Sequence, residues 1–86
     1  MPPGDLQRAL CAQIIRLLQE ERERRGMTKY ALAASTGLAQ QTISYVERGL
    51  RNPSLETVLR LADGIGVDFP ELVARARKTF RAAKRK

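Results

Sequence analysis

Apolar residues recur along the chain at intervals of three and four, and no stretch alternates apolar and polar at period two. That spacing predicts helices throughout. Leu6, Leu10, Ile14, Leu17 and Leu18 form one stripe after Asp5, a long amphipathic helix that Gly26 closes. The stripe continues onto Glu21, Arg22 and Arg25. Either this face leaves the core at its last turn, or a charge buried there has a partner. Thr28 is a good capping residue for a short second helix, Lys29 to Thr36, with Leu32 and Ala33 inward and Gly37 as its stop. A third helix runs from about Gln40 to Arg48 and halts at Gly49. Pro53-Ser54 opens a fourth, with Leu55, Val58, Leu59 and Ala62 facing inward. Asp68-Phe69-Pro70-Glu71 opens a fifth: an acid at the cap, proline in the first turn and a carboxylate three residues past the cap. The short linkers force neighbouring helices into contact. The expected fold is all-α.

Length and charge narrow the function. Eighty-six residues make one domain with a modest core, which self-association would stabilise. Sixteen Lys and Arg against nine Asp and Glu give a net charge of +7, so polyanions are the expected partners. The charge is uneven: Arg75, Arg77, Lys78, Arg81, Lys84, Arg85 and Lys86 crowd the C-terminus without an acidic neighbour. The single cysteine, Cys11, excludes an intrachain disulfide. It fits a reducing compartment and a packing role. No apolar run approaches the roughly 20 residues that span a bilayer, and the N-terminus does not read as a signal peptide. A cytoplasmic, nucleoid-associated location is expected. The chain has no histidine. It also lacks a nucleophile beside a base and a phosphate-cradling glycine loop, so neither an enzyme, a metal site nor a cofactor is expected.

The second and third helices are joined by a tight turn at Gly37-Leu38, the arrangement of a helix-turn-helix. Ala33 is small where the helices cross, Gly37 suits the left-handed conformation of a sharp turn, and Leu38, Ile43 and Val46 fill the wedge. On the other side of the third helix, Gln40, Gln41, Ser44 and Tyr45 line one polar face. Two amides, a hydroxyl and a phenol at this spacing match the donors and acceptors of base edges in a major groove.

The stretches GMTKYALAASTGLAQQTISYVERG and RNPSLETVLRLADGIGVDFPELV resemble the Cro and phage-repressor-like helix-turn-helix family, also called the XRE family. The resemblance runs from Arg22 to about Val73, more than half the chain. It implies a five-helix, lambda-repressor-like DNA-binding domain over residues 1–78, with a core at about 14–76 and the helix-turn-helix at 29–48. The first helix is extended, and residues 79–86 form a basic tail compatible with either a continued helix or a free arm. There are departures from the family pattern. Ala39 replaces the usual Ser or Thr cap, at a cost of about 1 kcal/mol, Lys29 stands where Gln is common, and Glu21 where leucine is usual.

By this resemblance Gln40 and Gln41 occupy the base-contacting start of the recognition helix, with Ser44 and Tyr45 one turn on and Ala39 near a thymine methyl. Thr28, Lys29, Thr42, Arg48, Arg51 and Asn52 flank that helix and are expected on phosphates, whereas Arg60 is expected to be plain surface. Related repressors bury an ion pair at the positions of Arg22 and Glu47, which would account for a charge on the apolar stripe. Val73, Ala76 and Phe80 continue the helical spacing of the fifth helix and are expected to form a homodimer interface.

The expectation is a sequence-specific regulator, a bacterial or phage repressor or activator, dimeric on double-stranded palindromic DNA. Its size resembles stand-alone repressors and the controller proteins of restriction-modification systems. Two other readings stay open: an antitoxin or protein-interaction adaptor, and a nonspecific architectural DNA binder.

Overall fold

The computed structural model describes residues 3–84, with side chains through Arg81. The tail residues Arg85 and Lys86 lie outside the described residues. Five helices follow one another: α1 (Asp5–Arg24), α2 (Lys29–Thr36), α3 (Gln40–Glu47), α4 (Leu55–Ile65) and α5 (Phe69–Lys84). Among the described residues there is no strand. Backbone of the basic tail through Lys84 thus continues α5 as helix.

The helix starts follow local chemistry. Thr28 Oγ1 accepts from Ala31 N at 3.0 Å, Ser54 Oγ from Thr57 N at 3.1 Å and Asp68 Oδ1 from Glu71 N at 3.1 Å. Each satisfies one of the amides that a helix leaves unpaired in its first turn. Ala39 makes no side-chain cap at α3. Gly37 takes φ 76° between α2 and α3, a left-handed conformation that glycine adopts without Cβ strain.

Helix α1 packs on α5, α4 and α3, while α2 packs on α3 and α4. Leu17, Leu18, Leu32, Ile43, Val46, Leu61, Ala62, Ile65, Leu72 and Ala76 form the buried core. Leu10, Ile14, Leu38 and Val58 pack against it from outside. Two expectations for α4 are corrected here: Leu55 is 69% and Leu59 43% exposed. At 100° per residue, the inward stripe of half-buried Val58 and buried Leu61, Ala62 and Ile65 leaves both leucines on one shoulder of the helix. The opposite shoulder, at Gly64, presses on α2. A Cβ built on Gly64 would lie 2.5 Å from Thr36 Cγ2.

The last turn of α1 stays in the core and carries its charges with it. Glu21 is buried, and its carboxylate meets Arg24, Arg25 and Arg75. Arg25 also donates to the carbonyl of Ile65 at 2.6 Å. One carboxylate therefore ties α1 to α5, and a neighbouring guanidinium ties it to the end of α4. The Arg24 hydrogen bond, helped by the fields of Arg24, Arg25 and Arg75 and opposed by burial, holds the Glu21 carboxyl below its ordinary value of 4.5.

Candidate nucleic-acid interface

The buried side of α3 anchors the whole site. Ile43 and Val46 are almost fully buried, and Leu38 closes the turn before them. A helix pinned along one stripe must present the opposite one outward. That outer stripe begins with Ala39, Gln40 and Gln41, all exposed, and continues one turn later with the half-buried Ser44 and Tyr45.

Within this stripe two side chains are joined. Gln41 Nε2 donates to Tyr45 Oη at 2.6 Å. The other amide hydrogen and Oε1 of Gln41 stay available, and this donor–acceptor pair is the one adenine requires. Arg51, from the loop after α3, places its guanidinium carbon 5.4 Å from the centre of the Tyr45 ring. That is within cation–π range. Three residues from two elements are therefore coupled at the centre of the polar face.

The flanking residues surround it. Thr28 and Lys29 stand at the start of α2, where Thr28 also caps the helix. Thr42 is half-buried on α3, whereas Arg48, Arg51 and Asn52 are exposed at its end and in the next loop. Arg60 lies elsewhere, bound to Glu56 at 2.8 Å. Tyr30, 74% exposed, follows Lys29 directly and is a candidate contact that apolar spacing misses. A tyrosine on the outer side of a short helix beside a cation was the available signal.

Arg22 and Glu47 meet beneath the site. Arg22 Nε donates to Glu47 Oε2 at 2.8 Å and Nη2 to Oε1 at 2.9 Å. Nη1 donates to the Met27 carbonyl at 2.8 Å. This bidentate pair joins α1 to the last turn of α3, with both side chains 8% exposed. Its hydrogen bonds with Glu47, outweighing burial, raise the Arg22 pKa above the ordinary arginine value. Such a two-pronged contact fixes the angle of α3 as well as its position.

The expected partner surface on α5 is corrected at one position. Ala76 is fully buried within this chain. A methyl group is what the close approach of α5 to the rest of the core accommodates. Val73 and Phe80 are half-buried, and Cys11 is exposed on α1 rather than packed. Among the described residues no cluster of His, Cys, Asp and Glu could hold a metal. No helix there is long and apolar enough to cross a membrane.

Comparison with known proteins places this geometry. The family model HTH_3, described as Helix-turn-helix, matches residues 18–72. The chain is 36% identical over 69 residues to the uncharacterized HTH-type transcriptional regulator y4dJ of Sinorhizobium fredii (strain NBRC 101917 / NGR234), covering 80% of this chain and 84% of that one. It is also similar to the restriction-modification controller protein C.AhdI from Aeromonas hydrophila. There the TM-score is 0.64 at 35% identity, over 73% of this chain and 94% of that one. A third similarity is to the restriction-modification controller protein C.Esp1396I, solved as a tetramer in complex with its natural 35 base-pair operator. Here the TM-score is 0.70 at 26% identity, covering 78% and 92% of the two chains.

Proposed function

The chain belongs to the helix-turn-helix family, and on that premise we propose that it is a sequence-specific DNA-binding transcription regulator. It acts as a homodimer on a palindromic operator in the cytoplasm, at the nucleoid, and it is not an enzyme. The observation that carries this reading is the polar outer stripe of α3, left exposed because Ile43 and Val46 hold the other side in the core. A similar protein, C.Esp1396I, is seen bound as a tetramer to operator DNA.

In this reading α3 enters the major groove. Gln40, Gln41, Ser44 and Tyr45 read base edges, with Ala39 against a thymine methyl. Thr28, Lys29, Thr42, Arg48, Arg51 and Asn52 hold phosphates and set the register. Tyr30 is added to that set. Arg51 has two roles, since it reaches the backbone while stacking on Tyr45. The net charge of +7 supplies the sequence-independent attraction. Arg22 and Glu47 contribute by fixing the angle at which α3 leaves the core.

Selection of bound duplexes from a random pool, followed by sequencing, tests the proposal. The enriched sequences should share a two-fold symmetric site with half-sites about 34–36 Å apart. Affinity for them should exceed that for random duplex by about a thousandfold or more. Equal affinity for selected and random sequences would overturn the regulator reading in favour of an architectural binder.

A further inference from the structure

We propose that the outer side of helix α5 is a second, sequence-independent DNA-binding surface, which takes the phosphate backbone of a segment other than the one α3 reads. This deepens the DNA-binding reading above and rests on it. The charge of the chain is segregated along its length. All nine acidic residues lie before Leu72 and are matched there by nine Lys and Arg, so residues 1–71 carry no net charge. The seven cations from Arg75 onward therefore amount to the whole +7. A domain that attracted DNA only through its helix-turn-helix would carry its excess charge there. The excess lies on α5 instead.

Pairing sharpens the contrast. Before Leu72, Arg8, Arg22, Arg24, Arg25 and Arg60 each meet a carboxylate within this chain. On α5, Arg75 is held by Glu21. Arg77, Lys78 and Arg81 are exposed and make no ion pair among the described residues. At 100° per residue, Arg77 and Arg81 form a row about 6 Å apart along the helix axis, with Lys78 roughly opposite the buried Ala76. The helix continues to Lys84, so helical backbone spaces these cations. Guanidinium forks held in this way bond phosphate oxygens two at a time and read no base.

Two neighbouring residues of α1 show where this surface faces. Arg22 reaches Glu47 of α3, and Glu21, about 100° round the helix axis, reaches Arg75 of α5. Helices α3 and α5 thus pack on different flanks of α1, and the outer side of α5 is turned away from all of them. A duplex seated on the polar stripe of α3 leaves that side free for a second segment. Charge alone would also suit an anionic membrane or an acidic protein. A helix lying on a membrane needs an unburied apolar face beside its cations, and α5 commits its own to the core, with Leu72 and Ala76 buried and Phe69 packed against the core. Over an acidic protein DNA has the advantage of position, because α3 already holds the chain where phosphates are concentrated.

The test compares the whole chain with the triple variant Arg77→Gln, Lys78→Gln, Arg81→Gln, which removes three exposed charges and leaves the core intact. On random duplex, the slope of log affinity against log salt should fall by about 2 to 3. In a capture assay, one duplex is immobilised, each protein is loaded to equal occupancy, and a labelled second duplex is added. Wild type should retain the label. The triple variant should lose most of it while keeping the base preference of wild type, and Arg77→Lys with Arg81→Lys should keep most of the capture. Should the triple variant lose its helical circular dichroism, Lys78→Gln and Arg81→Gln taken singly carry the same test, each lowering the slope by about one. An unchanged slope or an unchanged capture in the variant overturns the proposal. So does a wild type that captures no second duplex, or a variant that loses base preference, since either would place α5 beside α3 on a single duplex. Retention of phosphatidylserine vesicles in place of the second duplex would assign the surface to a membrane and overturn it too. The slope is read on random duplex and needs no operator, so its failure is distinguishable from failure of the duplex selection that tests the regulator reading.

Discussion

The side-chain amide of Gln41 is held by the phenol of Tyr45, 2.6 Å away and one helical turn along α3. A free glutamine at an exposed helix start samples several rotamers, and ordering it costs entropy when it binds. Here part of that ordering is already done. Tyr45 in turn carries Arg51 on its ring face, so the loop after α3 bears on the residue that orients Gln41.

This relationship gives the first prediction. Gln41→Ala should relax base preference at one position of the half-site and cost about 1–3 kcal/mol of specific binding. Tyr45→Phe keeps the ring under Arg51 but removes the acceptor. It should cost about 0.5–1.5 kcal/mol, with the loss concentrated at the position Gln41 reads. Competition binding against duplexes substituted one base pair at a time checks both. A uniform loss across all positions would remove Gln41 from the base-reading set.

Lys29 should behave differently. It stands at the start of α2 beside the Thr28 cap, and in the proposed reading it meets phosphate rather than base. Lys29→Ala should weaken all sequences alike and lower the slope of log affinity against log salt by about one. A salt titration on selected and random duplexes measures it. Unchanged slopes would place Lys29 away from the backbone.

Much of this site was legible in the chain because its signals are local. Thr28, Ser54 and Asp68 are capping types, and all three cap. Residues 29–36 read as one helix and form one. The polar stripe of α3 follows from where Ile43 and Val46 point. What stayed hidden depends on which element lies opposite. Leu55 and Leu59 read as inward because apolar spacing identifies a stripe but not which shoulder has a neighbour. Ala76 read as a surface residue because a single methyl gives no sign of how closely helices approach. Glu21, an acid on an apolar stripe, could be read as the end of the core. It stays inside because Arg24 and Arg25, one turn on, and Arg75, fifty-four positions later in the chain, all reach its carboxylate.

The Arg22–Glu47 pair should be costly to break and less costly to replace. Arg22→Met leaves the Glu47 carboxylate without its bidentate partner and should destabilise the fold by about 3–5 kcal/mol. Adding Glu47→Leu removes the stranded charge and should recover part of that loss. Thermal melts of both variants decide it. An unchanged midpoint for Arg22→Met would mean the pair contributes nothing to stability.

Acid should act through Glu21. Its carboxyl titrates below 4.5 in the folded chain because Arg24 bonds it and Arg24, Arg25 and Arg75 surround it. The unfolded chain therefore takes up the proton first on acidification. The resulting stabilisation is fully present above pH 4.5 and is lost as pH falls through the folded value. Glu21→Gln should lower the melting temperature at neutral pH, and the gap to wild type should close in acid. A gap that does not change with pH would mean the carboxylate charge is not what holds α1 to α5.

Gly64 offers the sharpest test of packing. A methyl group at this position would sit 2.5 Å from Thr36 Cγ2, 3.0 Å from Leu32 Cδ1 and 3.1 Å from Ser35 Oγ. Alanine normally favours a helix over glycine by about 1 kcal/mol, so a substitution free of clashes would stabilise α4. Here the nearest atom belongs to a β-branched side chain whose hydroxyl donates to the Leu32 carbonyl at 2.7 Å and accepts from the Leu38 amide at 3.2 Å, so Thr36 cannot turn aside without losing bonds. Gly64→Ala should therefore destabilise by about 1–3 kcal/mol, the range of overpacked cores. Thr36→Ser deletes the clashing methyl and keeps the hydroxyl, so the double variant should regain much of the loss. The cycle of four melts measures the coupling directly. If Gly64→Ala raises the midpoint, α2 and α4 are farther apart than this packing requires.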